Sequence, residues 1–222
     1  MSTTTSPLVD PARLAALDWK DMARLNPQLD RLLEELATSP TWLNDAIDHV
    51  LATPELLVQS ERLQELDRVV LVNDEASGVR IRLHVFRERF FDRPHNHRWS
   101  FGTRILAGSY THYLFGDYPD LSPATDAREL APVLVREELP GTGYVIRHTL
   151  LHSVGAVPET TSLIVRGPAE KDRFVVSNRD TGEAWWQYGH PVEDPEEVAK
   201  RQLGAVKVEE IRGLLKRQGV IR

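Results

Sequence analysis

The chain has 222 residues, an ordinary globular share of apolar and charged side chains, and a formal net charge of −6. That is enough chain for one substantial hydrophobic core with an appendage, and the acid excess gives no electrostatic reason to expect nucleic acid. There is no cysteine, which excludes disulfides and thiolate chemistry, so any metal site must use nitrogen and oxygen donors.

Residues 1–8 read as a disordered tail. The N-terminus "MSTTTSPLVD" has neither a basic nor an apolar leader segment, and no apolar run nears the roughly 20 residues of a membrane span. A cytoplasmic protein without membrane contact is the expectation. Helix starts come at Asp10-Pro11, Ser39-Pro40 and Thr53-Pro54, where a small polar residue caps and proline at the first helical position loses no hydrogen bond. Behind them Leu29, Leu32, Leu33 and Leu36 recur with helical spacing, as do Leu43, Ile47, Val50 and Leu51. Residues 9–66 are therefore expected as a helical segment packed on the strand-rich region downstream.

From Arg68 the period changes to two. "RVVLV" and "VRIRLHVF" flank "NDEASG", a hairpin signal. In the second run Val79, Ile81, Leu83 and Val85 alternate with Arg80, Arg82, His84 and Phe86, so its two faces differ sharply. Further strand-like runs are "TRILAG", "SYTHYLF", "APVLVREEL", "GYVIR", "TTSLIVRG", "RFVVSN" and "EAWWQYG". Many short strands between turn signals predict a small barrel or sandwich over 67–190. "DPEEVAKRQL" and "KVEEIRGLLKRQG" return the chain to helix over 191–222.

The chemistry concentrates in "RPHNHRWSFGTRILAG" and "GTGYVIRHTLLHSVGAV". His95 and His97, two apart, share one face of an extended segment. Two imidazoles there could chelate a divalent ion, with His152 as the candidate third donor. His112 shares a strand face with Tyr110 and could reach the same point. Arg104 is expected to turn inward as well, Trp99 and Phe101 to seal the site, and His148 to sit in the turn before His152. A buried arginine needs an acidic partner or an anionic ligand, which makes Arg82, Arg104 and Arg166 candidate substrate contacts.

The two segments resemble the paired motifs of the cupin superfamily, a glycine-bounded H-x-H element followed by a second element ending in histidine. His95, His97 and Gly108 fit the first, and Gly141 and His152 fit the second. The acidic ligand of the first element is absent, because the two ways of counting to it give Phe101 and Gly102. The second element has Arg147, Thr149 and Ala156 where the pattern has proline, glycine and asparagine. The layout is most similar to the thiol dioxygenase branch, with helices first, a hairpin before the H-x-H and three histidines without a glutamate. That branch places a carboxylate-binding arginine where Arg68 stands. Its Ser-x-His-x-Tyr strand appears here with Ser162 kept but Ile164 and Arg166 in the other two places.

The resemblance implies a double-stranded β-helix, or jelly-roll barrel, binding metal through His95, His97 and His152. It implies a mononuclear iron(II) oxygenase that takes dioxygen and a small carboxylate-bearing substrate such as an amino or thiol acid. His112, Arg104 and Tyr110 are the expected catalytic groups, and Arg68, Arg82, Arg104, Arg166 and Trp99 the substrate contacts. Zinc suits the same ligands and would make the chain a lyase, isomerase or bond-forming enzyme. A non-catalytic small-molecule-binding cupin is the third reading. A homodimer is expected by resemblance alone.

Overall fold

The computed structural model describes residues 8–39, 41–189 and 195–222. The tail expected over 1–8 lies outside these except for Leu8. That residue is ordered: it packs against the core, and its carbonyl accepts a 2.9 Å hydrogen bond from the Trp42 indole. Pro40, Asp194 and the junction between barrel and C-terminal helices also fall outside the described residues.

Among the described residues four helices come first: α1 (Pro11–Ala15), α2 (Met22–Thr38), α3 (Trp42–Ala52) and α4 (Pro54–Gln59). Asp10 caps α1 through its side chain. The long α2 starts at Asp21, whose carboxylate accepts from the amides of Ala23 and Arg24. Leu25, Leu29, Leu32, Leu33 and Leu36 form its buried stripe. Each leucine so buried contributes about 1.5–3 kcal/mol, which fixes α2 against the sheet. Glu61–Arg62, expected within the helical segment, instead form a short strand, β1. Two helices close the chain, α5 (Pro195–Lys200) and α6 (Gly204–Arg217).

Antiparallel strands fill the span between. The larger sheet has the order β1-β2-β3-β10-β5-β8, with β2 at Leu66–Asp74, β3 at Val79–Phe86, β5 at Phe101–Ala107, β8 at Gly143–Ile146 and β10 at Thr161–Arg166. The facing sheet has the order β4-β9-β6-β7, with β4 at Phe90–Phe91, β6 at Tyr110–Asp117, β7 at Leu134–Glu138 and β9 at Leu150–Ala156. A hairpin of β11 (Arg173–Ser177) and β12 (Ala184–Tyr188) extends it. Sequence-distant strands neighbour each other in both sheets, which makes this a jelly-roll barrel. Gly108 turns the chain from one sheet to the other at φ +74°, and a Cβ there would collide with Thr160. Only glycine fits that corner.

The larger sheet separates two environments. Its outer face carries Val79, Ile81, Leu83, Leu163 and Val165, packed under α2, α3 and α6 in the main core. Its inner face looks into a cavity of about 720 Å³ bounded by the second sheet. No helix among the described residues is long and apolar enough to cross a membrane.

Candidate metal centre

The segment holding His95 and His97 belongs to no named strand, yet it is pinned on both sides. His95 exchanges backbone hydrogen bonds with His152 of β9, at 2.9 and 3.0 Å. Next to it the Asn96 amide donates to Val175 O, while the Asn96 side chain accepts from the Val175 amide at 2.9 Å. The His97 amide donates to His148 O at 3.1 Å. The H-x-H element thus serves as a strand wedged between β9 and β11, which aims both imidazoles at the cavity.

There the three rings converge. Their centroids stand 4.6 Å (95 to 97), 4.8 Å (95 to 152) and 5.0 Å (97 to 152) apart, and their candidate ligand nitrogens lie within 4.8 Å of one another. Neighbouring nitrogens on one ion stand roughly 3 Å apart. The Nε2 atoms of His97 and His152, at 2.7 Å, are already that close, and the widest pair must draw in.

Hydrogen bonds on the far side of two rings decide which nitrogen is offered. His95 Nδ1 lies 2.8 Å from the Arg93 carbonyl, which only accepts, so Nδ1 carries the proton and Nε2 of the neutral ring is bare. Asp92 adds a carboxylate 3.2 Å from the same nitrogen. Behind His152 stand His112 and Glu138, both fully buried, with Arg136 at the rim. Glu138 Oε1 accepts from Arg136 Nε at 2.8 Å and from His112 Nδ1 at 2.7 Å. His112 Nε2 must then accept, and His152 Nδ1 donates to it at 2.9 Å. The lone pair of His152 is left on Nε2, facing the other two rings. Burial, then the neighbouring histidines, holds the His152 imidazole well below its ordinary pKa, and burial does the same for His97. Neutral rings with inward lone pairs are what a divalent ion requires.

Two expectations are corrected by this geometry. His112 does not point at the shared centre; it stands behind His152 and is fully buried. Arg104 does not face the cavity at all. It lies 3.9 Å from Asp30 and 3.5 Å from Glu34, both on α2. The reason is strand period. Gly102, Arg104 and Leu106 share the outer face of β5, where a Cβ on Gly102 would meet Leu29 and Leu33 at 3.1 Å. The inward position is Phe101, whose ring packs 4.7 Å from that of His97.

The remaining candidates do line the cavity: Arg68, Arg82, Trp99, Tyr110 and Arg166. Arg68 stands 3.7 Å from Glu61. Tyr110 bonds Ser162 Oγ at 2.6 Å, and burial pushes its phenol far up, so it stays protonated. His84 also faces inward, with Nε2 shut from solvent and unpartnered. His148 sits in the turn before β9, as expected, with Nδ1 2.9 Å from a Glu170 carboxylate oxygen. Glu138 and Asp92 escape a reading of the sequence because a carboxylate that supports a histidine from another strand has no local spacing signature.

The strand order and the inward histidine cluster define a jelly-roll of the cupin type with a three-histidine candidate metal centre. No known sequence family matches the chain, and neither does any curated protein. Among solved structures it is similar to KdgF from Halomonas sp. (15% identity, 50% of this chain and 88% of that one, TM-score 0.38). It is likewise similar to the polyketide cyclase RemF from Streptomyces resistomycificus (19%, 62% and 84%, TM-score 0.37). A cupin superfamily protein from Desulfitobacterium hafniense gives 12%, 52% and 91%, with a TM-score of 0.36. Likenesses this distant carry no inference about activity, and the fold assignment rests on the chain's own strand topology.

Proposed function

We propose that the protein is a mononuclear metalloenzyme, an iron(II)-dependent oxygenase acting on a small carboxylate-bearing substrate. The observation that supports it most is the meeting of three imidazoles from two distant segments on the cavity wall, with the bare nitrogens of His95 and His152 turned inward. His95, His97 and His152 would hold the ion. Bound there, iron(II) would supply adjacent positions for substrate and dioxygen. The chain's own groups do the rest. Arg82 and Arg166 offer planar donor forks to an acidic group of the substrate, Trp99 and Phe101 keep water from the centre, and Tyr110 holds its proton on Oη against Ser162.

One observation favours a second reading, a zinc-dependent lyase or isomerase. Ile164 and Arg166 fill the inward positions where the dioxygenase branch carries its proton-handling pair. Elemental analysis of protein purified without chelators or added metal separates the two. Iron, with dioxygen consumed when it is admitted to the anaerobic protein already mixed with an amino or oxo acid, is the expected result. Zinc without oxygen uptake would transfer the proposal to the second reading. A His97→Ala protein that keeps its fold and retains as much metal as the parent would end both.

A further inference from the structure

Among the described residues, six arginines line the cavity (Arg68, Arg80, Arg82, Arg98, Arg166 and Arg201) against three carboxylates, Glu61, Glu65 and Asp92. Those acids are largely committed elsewhere. Glu61 stands 3.7 Å from Arg68 and 3.9 Å from Arg201, and Asp92 faces His95. Among the described residues, no carboxylate comes within ion-pairing distance of Arg82, Arg98 or Arg166. Instead their guanidinium carbons stand 5.8, 5.7 and 4.8 Å from the centre of the Trp99 ring.

Arg82 is the sharpest case. It is 7% exposed, and its Nε is buried without a hydrogen-bond partner. Arg166 donates from one terminal nitrogen to the carbonyls of Gly167 and Gly78, but its Nε is likewise buried and unpartnered. Burial, then repulsion from Arg80 and Arg98, pushes the Arg166 guanidinium down to about 10, and burial moves Arg82 in the same direction. Guanidinium keeps its proton in a protein, so the unfavourable charge stays until an anion offsets it. The indole supplies part of that relief through its π face, but it leaves the buried Nε donors of Arg82 and Arg166 unused.

We propose that Arg82, Arg98 and Arg166 around Trp99 form a second anion-binding subsite beside the histidine triad, so that the substrate carries two acidic groups. This rests on the metalloenzyme reading and deepens it. One acidic group faces the metal centre and the other, a dianionic phosphate or a second carboxylate, takes the arginine forks. The Trp99 ring lies 6.3 Å from that of His97, which keeps both groups within the span of one small molecule. A monocarboxylic acid would leave the excess of guanidinium charge unanswered.

The test uses chelator-stripped protein, so that a failed metal reading leaves this inference standing and the converse. Inorganic phosphate, succinate and butyrate are titrated calorimetrically at constant ionic strength. Phosphate or succinate should bind about tenfold or more tighter than butyrate, and Arg82→Gln should remove at least that factor. Arg104→Gln, on the opposite face of the same sheet, should leave the titration unchanged. Phosphate preferred over succinate would select a phosphorylated acid, and the reverse a dicarboxylic acid; either supports the subsite. Should Arg82→Gln fail to fold by near-UV circular dichroism, Arg166→Gln, whose guanidinium is less buried, carries the same test. Dianions no tighter than butyrate, or a folded glutamine variant that titrates like the parent, would overturn the proposal.

Discussion

The two faces of the larger sheet are made by the same strands, and β3 is largely buried on both. On the outer face Ile81, Leu83 and Val165 vanish under helices, and Arg104 finds two carboxylates of α2. On the inner face Arg82, His84 and Arg166 each keep a buried nitrogen with no partner. Burial therefore does not distinguish core from site here. What marks the inner face is the concentration of unsatisfied polar atoms around one cavity, because an orphaned donor costs free energy that a ligand could return.

The contrast breaks most visibly on the outer face. Leu33→Ala, under the sheet, should cost about 2–5 kcal/mol in urea unfolding while leaving metal content per folded protein unchanged. A loss below that range would mean that α2 is less essential to the barrel than its packing indicates. The support behind the metal centre comes next. His112→Phe removes the acceptor of His152 Nδ1–H and should weaken metal affinity about 10–100-fold. Equal affinity, measured by chelator competition, would show that His152 needs no help in choosing its tautomer.

A pH effect should distinguish the inner face. Burial, then Arg68 and Arg82, holds the His84 pKa well below its ordinary value of 6.5. Below that pH the unfolded chain takes up a proton that the folded one refuses, so stability falls with acidification. Metal-free His84→Gln should lose less unfolding midpoint than the parent between neutral pH and mild acid; parallel profiles would refute the assignment. The smallest effect belongs to Arg104→Ala. Its carboxylate partners are more than half exposed, so the change should cost no more than about 1 kcal/mol. It should also leave ligand binding intact, and a loss of binding would return Arg104 to the site.

Much of the molecule is legible one residue at a time. Alternation in "VRIRLHVF" separates the faces of β3, and leucine spacing marks α2. Arg104 shows where such reading fails. The motif allows two registers for the missing acid, Phe101 or Gly102, and a one-residue slip moves every side chain to the other face. His112 fails differently: its strand face is right, but which ring it meets depends on β9 lying beside β6. The strand bearing His152 has no clear local signal of its own, since its pairing with β6 and with His95 is wholly long-range.

The amino-acid order by itself determined most of the elements, the alternating faces and the candidate ligands, because propensity, periodicity and glycine corners act over a few residues. Only the tertiary structure decided which nitrogens are bare, which arginines go unanswered and which histidine stands behind another. Those outcomes depend on partners as far as 88 residues apart, as Gly78 and Arg166 are, and no local pattern encodes where a distant strand will dock.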